Sequence, residues 1–325
     1  MIDVQTTALV LFVALVLDAL IGDPDWLWQR LPHPVVLMGK LIQQLDDKLN
    51  SPADQAIARR IKGALALVVI LAVACAIGIG VSWSVSWSPS ALIFEVIIVA
   101  MLLAQRSLYD HVDRVRKAFK DGGLNAARKS VSMIVGRDPE TLDEAGVCRA
   151  AIESSAENFS DGIVAPAFWY LIAGLPGLLV YKFVNTADSM IGHRNEKYLE
   201  FGWASARFDD VLNLVPARLS ALFFALAAVS CGGSVSGALR AMWRDAGLHR
   251  SPNAGWPEAA MAGGLGLALA GPRVYGSSVV DDPWMNGDGN SEAQPTDIGR
   301  ALILMVAACA VQGVLVGCIA AVQFF

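Results

Sequence analysis

Residues 63–94, GALALVVILAVACAIGIGVSWSVSWSPSALIF, hold no charged side chain. This run of 32 residues is well beyond the about 20 that one helical membrane span requires. A helix satisfies all its backbone polar groups internally, so a bilayer accepts such a stretch where a soluble core would struggle to enclose it. Ser84 to Ser88 and Pro89 interrupt the run. It therefore predicts two spans, about 63–83 and 90–105, and the uncharged segment 301–325 predicts a third. Residues 7–21, carrying Asp18, and 211–231, carrying Pro216 and Arg218, are further candidates. Residues 163–181 are broken by Pro166, Gly174, Pro176 and Gly177, and 259–271 are short and rich in Gly and Ala.

Composition agrees. Over 325 residues, 55% are of the AVILMFWYC class and 17% are DEKR, against about 45–50% and 25% in ordinary soluble domains. This excludes a disordered chain, a basic nucleic-acid-binding domain and a disulfide-framed secreted module. The five cysteines form no CxxC pair and read as small buried hydrophobes, with no disulfide or structural metal. No alternating β pattern of useful length occurs, and residues 275–299, rich in Gly, Asp, Asn and Ser, read as a loop. The expected fold is an all-α, polytopic integral membrane helical bundle. It forms one domain over 1–325, with cytoplasmic helical loops and re-entrant or broken segments.

Basic residues set the expected orientation. Six Lys/Arg lie in 23–62 and nine in 106–162, but none in 84–89. The first two segments are expected in the cytoplasm, and the 84–89 hairpin and the N-terminus outside. Residues 7–21 lack a basic leader region and a clear cleavage site, so they are expected to be retained. Residues 111–135 show helical periodicity with a break at Gly122-Gly123. Their apolar faces suit a helical hairpin, and the basic faces also suit anionic lipid headgroups.

Polar residues gather at the edges of the broken apolar runs. Glu153, Glu157 and Asp161 recur at i, i+4 and i+8 with no interleaved cation. The pattern fits either a solvated acidic helix end or a divalent-cation site, since Mg²⁺ takes one or two carboxylates plus phosphate oxygens. Asn185 and Asp188 precede Gly192, His193, Arg194 and Lys197, a set that also fits a capped helix C-terminus. Asp209, Asp210 and Asn213 lead into an apolar segment carrying Arg218, and intramembrane ionisable groups are functional candidates. Asn253 and Glu258 flank a tight turn, and His33 lies between two prolines. No P-loop, GxGxxG, HExxH or GxSxG motif is present. From the residues alone, the chain reads as a membrane enzyme acting on an anionic, phosphate-bearing substrate. Carboxylates would bring Mg²⁺, and Arg194, Lys197 and Arg218 would answer phosphate or carboxylate.

The motifs resemble those of the adenosylcobinamide-phosphate synthase family of cobalamin biosynthesis. They are Leu17-Asp18 through Gly22-Asp23-Pro24; Leu31-Pro32-His33-Pro34; Glu153 to Asn158 with Asp161-Gly162; Asn185 to Met190 with Gly192; Phe208-Asp209-Asp210 with Asn213 and Arg218; and Ser251 to Gly255 before Pro257-Glu258. They run in order along nearly the whole chain. The resemblance implies a multipass inner-membrane enzyme with active-site loops in the cytoplasm. It implies ATP-dependent attachment of aminopropanol, or its O-phosphate, to the free propionate of adenosylcobyric acid. The product would be adenosylcobinamide or its phosphate.

On that reading Glu153, Glu157, Asp188, Asp209 and Asp210 are the catalytic candidates, and Glu153, Glu157, Asp161 and Asp188 the Mg²⁺ candidates. Asn158, Asn185, Asn213, Asn253 and Glu258 would contact substrate. Arg194, Lys197 and Arg218 would hold phosphate or the corrinoid carboxylate, and His33 and His193 are lesser base candidates. Implied partners are the corrinoid, the amine, ATP, the lipid bilayer and other membrane enzymes of cobalamin assembly, with no nucleic acid. Three alternatives stay open from sequence. They are a Mg²⁺-dependent prenyl- or alcohol-phosphotransferase, a non-catalytic membrane sensor, and a transporter built around Asp18 and Glu95.

Overall fold

The computed structural model describes residues 4–85, 91–135, 140–275, 278–280 and 282–322. In chain order the helices are α1 (Val4–Ile21), α2 (Asp25–Trp28), α3 (Pro34–Leu49), α4 (Ala56–Val85), α5 (Leu92–Leu102), α6 (Gln105–Val131), α7 (Glu144–Phe159), α8 (Ala165–Ile191), α9 (Trp203–Leu212), α10 (Leu214–Ala227), α11 (Val235–Asp245), α12 (Gly255–Leu265) and α13 (Pro295–Ala321). A π-helical turn, Ser160–Val164, joins α7 to α8. The protein is an all-α polytopic membrane protein. Among the described residues, five helices are long and apolar enough to cross a bilayer: Ala56–Ser84, Leu92–Val131, Glu144–Ile191, Leu214–Cys231 and Pro295–Ala321. Large apolar side chains such as Val68 on α4, Phe94 on α5 and Val314 on α13 are 60–67% exposed, which suits lipid and not water. The 84–89 connection falls mostly outside the described residues.

The chain forms two compact units. One comprises Met1–Ala104, Ala165–Asn213 and Val316–Phe325; the other comprises Gln105–Val164 and Leu214–Leu315. In the first, Leu11, Ile42, Ile70, Tyr170, Leu175 and Leu178 form a buried core. Helix α8 is broken where the sequence suggested. Gly174 adopts φ +61, which side-chain-bearing residues disfavour, and Pro176 follows. Helix α4 crosses this break closely: a β-carbon on Gly78 would lie 2.5 Å from the Pro176 Cα.

In the second unit, Phe159 on α7 and Phe224 on α10 stack at 4.4 Å between centroids. Helix α6 breaks at Gly123, φ +67, as the sequence suggested. Residues 259–271 do not form a span. Residues 259–265 lie on α12, an 11-residue buried helix, about 16 Å long against a hydrocarbon thickness of about 30 Å, and the rest run past its end into a short strand. Helix α12 packs on α11, where a β-carbon on Gly237 would sit 2.5 Å from the Gly263 carbonyl oxygen. Beyond α12 come four short strands, β1 (Leu269–Ala270), β2 (Arg273–Tyr275), β3 (Ser278–Val280) and β4 (Trp284–Met285), of which β3 and β4 lie inside the expected loop 275–299. β1 pairs antiparallel with β4, and β2 with β3. Strands of two or three residues are too short to display a period-two pattern, so sequence could not reveal them.

Candidate active site

In the first unit a buried polar network joins α8 to α9. Tyr181, Asn185 and Asp188 follow one another at i, i+4 and i+7 along α8, one face of a helix. The Asp209 carboxylate on α9 is 8% exposed. Its Oδ1 accepts from Asn185 Nδ2 at 3.3 Å and its Oδ2 from Asn213 Nδ2 at 2.9 Å. The Tyr181 hydroxyl donates to Asn213 Oδ1 at 3.0 Å. That bond fixes which way the Asn213 amide points, and so aims its N–H groups at Asp209.

The Asp209 carboxyl is pushed up to about 7. Burial is the main cause and the neighbouring Asp188 charge the next; the two amide donors pull the other way and lose. Asp188 is half-buried at the end of α8, and its main-chain oxygen accepts from Gly192 N at 2.7 Å. Asp210 is half-buried and pairs with Arg207 at 3.1 Å.

In the second unit Arg218 is held in place from several sides. Its Nη1 donates to Leu214 O at 2.8 Å and to Asn253 Oδ1 at 3.3 Å. The guanidinium lies 4.5 Å from the Trp256 ring centroid, and Trp256 meets the Trp243 ring edge to face at 5.4 Å. Ser251 Oγ accepts from Asn253 N and Ala254 N, both at 3.2 Å, which ties the turn ahead of α12. Glu258 is buried, with its Oε1 3.7 Å from His249 Nε2.

A family model described as CobD/Cbib protein matches residues 11–305. The chain belongs to that family. A cobalamin biosynthesis protein CobD of Sinorhizobium sp is 53% identical over 310 residues, 94% of this chain and 96% of its own length. The protein of the same name from Rhizobium meliloti (strain 1021) is 54% identical over 306 residues, 93% of this chain and 94% of its own. That of Rhodobacter capsulatus is 48% identical over 313 residues, covering 96% and 97%. No solved structure matches the chain.

Seen as a CobD/Cbib protein, the chain places its site candidates unevenly. Asn185, Asp188, Asp209 and Asn213 come together, with Asp210 beside them. Arg218 and Asn253 come together in the second unit. Glu153 is differently placed from the expectation. It is 6% exposed, and its Oε1 accepts from the Ala270 backbone N–H at 2.9 Å. Ala270 has φ +60, a conformation alanine rarely adopts, so Glu153 braces a strained strand. Glu157 and Asn158 are exposed and Asp161 is half-buried in the π-helical turn; such turns recur at functional sites. Asn158 Nδ2 donates to Ser154 O at 2.8 Å. Among the described residues no three His, Cys, Asp or Glu side chains are grouped to hold a metal. The expected set of Glu153, Glu157, Asp161 and Asp188 is therefore not a preformed chelate.

Lys197 is likewise engaged. Its Nζ reaches Asp46 Oδ2 at 2.8 Å and donates to the Tyr198 hydroxyl at 2.8 Å. The hydrogen bond to Asp46, 2% exposed, raises the Lys197 ammonium above the usual lysine range. The Lys197 main-chain oxygen accepts from Arg59 and Asn50. The lysine clamps the 193–202 segment to α3 and α4. His33 is the N-cap of α3: its Nδ1 accepts from Val35 N at 3.2 Å, and its Nε2 lies 3.5 Å from Asp23 Oδ1. That is a structural placement. His193 and Arg194 are exposed. Tyr181 and Trp256 were missed as site residues. The helical spacing of Tyr181 to Asn185 and Asp188 is the signal that could have found the tyrosine.

Proposed function

We propose that the protein works in cobalamin biosynthesis as an ATP-dependent acid–amine ligase. It would join aminopropanol, or its O-phosphate, to the free propionate of adenosylcobyric acid, giving adenosylcobinamide or its phosphate. The observation that carries the chemistry is Asp209: a buried carboxylate beside Asp188, held on both oxygens by amides, with its pKa lifted to about 7. Near neutral pH such a group is suited to take a proton.

A carboxylate is a poor electrophile. Its oxygen attacks the γ-phosphorus of ATP, the bond to ADP breaks, and an acyl phosphate forms. The amine nitrogen then attacks the acyl carbon, phosphate leaves with the former carboxylate oxygen, and Asp209 takes the amine proton. Asn185 and Asn213 hold that carboxylate in position throughout, and Tyr181 holds Asn213.

Mg²⁺ fits the donor set in the form that binds through one or two carboxylates and the substrate's own phosphate oxygens. Asp188, with Asp210 near it, would be its protein ligand, and the ion would neutralise charge on the phosphoryl group. Arg218, fixed by Asn253 and Trp256, would hold a phosphate or a corrinoid carboxylate.

The test is direct. Purified protein is given adenosylcobyric acid, Mg²⁺-ATP and either amine, and product is read by mass. An ATP-dependent gain of one aminopropanol unit, with or without phosphate, supports the reading. No product with either amine overturns it.

A further inference from the structure

A groove of about 1070 Å³ runs between α6 and α13 in the second unit. It shares no lining residue with the Arg218 cluster. Its character changes along its length. Arg116 and Lys120, one turn apart on α6, and Arg300, in the second turn of α13, supply basic groups. Further along α13 the lining is Ile303, Val306 and Ala310, with Ile303 and Val306 each 51% exposed. At a rise of about 1.5 Å per residue, Ala310 lies about 15 Å beyond Arg300.

Two of the acids nearby are paired with their own helix's cations. Asp113 pairs with Arg116 and Lys117, and Asp297 with Arg300, each on its own helix. Those pairs set the guanidinium poses and leave other N–H groups available. Glu144 also lines the groove. Lys120 is exposed and makes no ion pair among the described residues.

Because α13 is of membrane-spanning length and apolarity, its exposed apolar face lies in hydrocarbon and the basic end lies at the headgroup level. Basic pockets between membrane helices take anionic headgroups. We propose that this groove is a binding site for an anionic phospholipid. Its phosphate sits among Arg116, Lys120 and Arg300, and an acyl chain lies along Ile303 to Ala310. A soluble phosphate would leave the apolar length bare, and a choline headgroup would bring a cation to a basic end. The basic faces of residues 111–135, which ligation does not use, gain a role here.

The test uses the full chain purified in mild detergent, stripped of lipid. Phosphatidylglycerol, phosphatidylcholine and inorganic phosphate are added separately. Bound lipid is counted by native mass spectrometry and thermal stability is followed. Phosphatidylglycerol is expected to bind about fivefold or more tighter than phosphatidylcholine, a margin that Lys120→Gln narrows and Lys120→Glu abolishes. Inorganic phosphate is expected to give no stabilisation. Ala310→Trp, which fills the apolar end, is expected to weaken lipid binding while the unliganded protein melts as before. Equal binding of the two lipids, a preference that survives Lys120→Glu, or equal stabilisation by phosphate alone would overturn the proposal.

Discussion

The side chain of Asp188 occupies the space that a β-carbon on Gly192 would need. The glycine closes α8 by donating its N–H to the Asp188 carbonyl at 2.7 Å. An added methyl group would meet both that carbonyl and the carboxylate. One residue thus ends the helix and leaves room for the acid beside Asp209.

Gly192→Ala should therefore push the Asp188 carboxylate aside. The local cost of such overpacking is about 1–3 kcal/mol, and displacement of a reacting group by an ångström can cost about 100-fold in rate. The variant is expected to be made and inserted normally but to ligate at a few per cent of the original rate or less. Wild-type turnover would show that the Asp188 position does not matter.

The raised pKa of Asp209 gives a pH dependence of definite sign. The folded state holds this proton up to about pH 7, whereas an unfolded aspartate releases it near 3.9. The base is thus blocked at pH 6 and available at pH 8, so kcat should rise through pH 7. Stability should move the other way: the native state binds more protons between those two values, so this group makes folding less favourable as pH rises across them. Asp209→Asn should remove that downward slope of stability and abolish ligation. A rate that is flat from pH 6 to 8 would remove Asp209 from the base role.

Lys197 and Asp46 separate a clamp from a phosphate contact. Lys197→Met leaves Asp46 buried without its cation. The lysine is 55% exposed, so solvent screening keeps the expected loss to about 1–2 kcal/mol of stability. KM for ATP and for the corrinoid should stay within about twofold, since uniform binding is untouched. A large rise in either KM with an unchanged melting temperature would return Lys197 to substrate binding.

Glu153 and Glu157 of α7 should also part company. Glu153→Gln keeps an oxygen to accept the Ala270 N–H, so it should fold and retain most activity. Glu153→Ala removes the acceptor and should cost about 1–3 kcal/mol. Glu157 is exposed, and Glu157→Gln is expected to leave stability within about 0.5 kcal/mol while lowering the ligation rate. The opposite pattern would reverse the roles.

Much of this was legible in sequence where the signal was local. The absence of charge in 63–94 announced membrane helices, and Gly123 and Gly174 announced the breaks in α6 and α8. Asn185, Asp188, Asp209 and Asn213 stood out because polar groups beside apolar runs are costly without a purpose. Long-range partners were not legible. Lys197 meets an aspartate 151 residues away, and Glu153 meets a backbone amide 117 residues away. Neither partner can be read from neighbouring residues. Tyr181 resembles an ordinary core aromatic until Asn213 is placed against it. Helix α12 misled because an apolar helix buried in protein and one buried in lipid look alike in composition.

The proposed reaction activates a carboxylate with ATP and passes it to an amine. Adenosylcobyric acid labelled with ¹⁸O in its free carboxylate tests this most directly. One labelled oxygen should appear in the inorganic phosphate released for each amide formed. Amide formation with no label in phosphate, or no amide with either amine, would contradict the account.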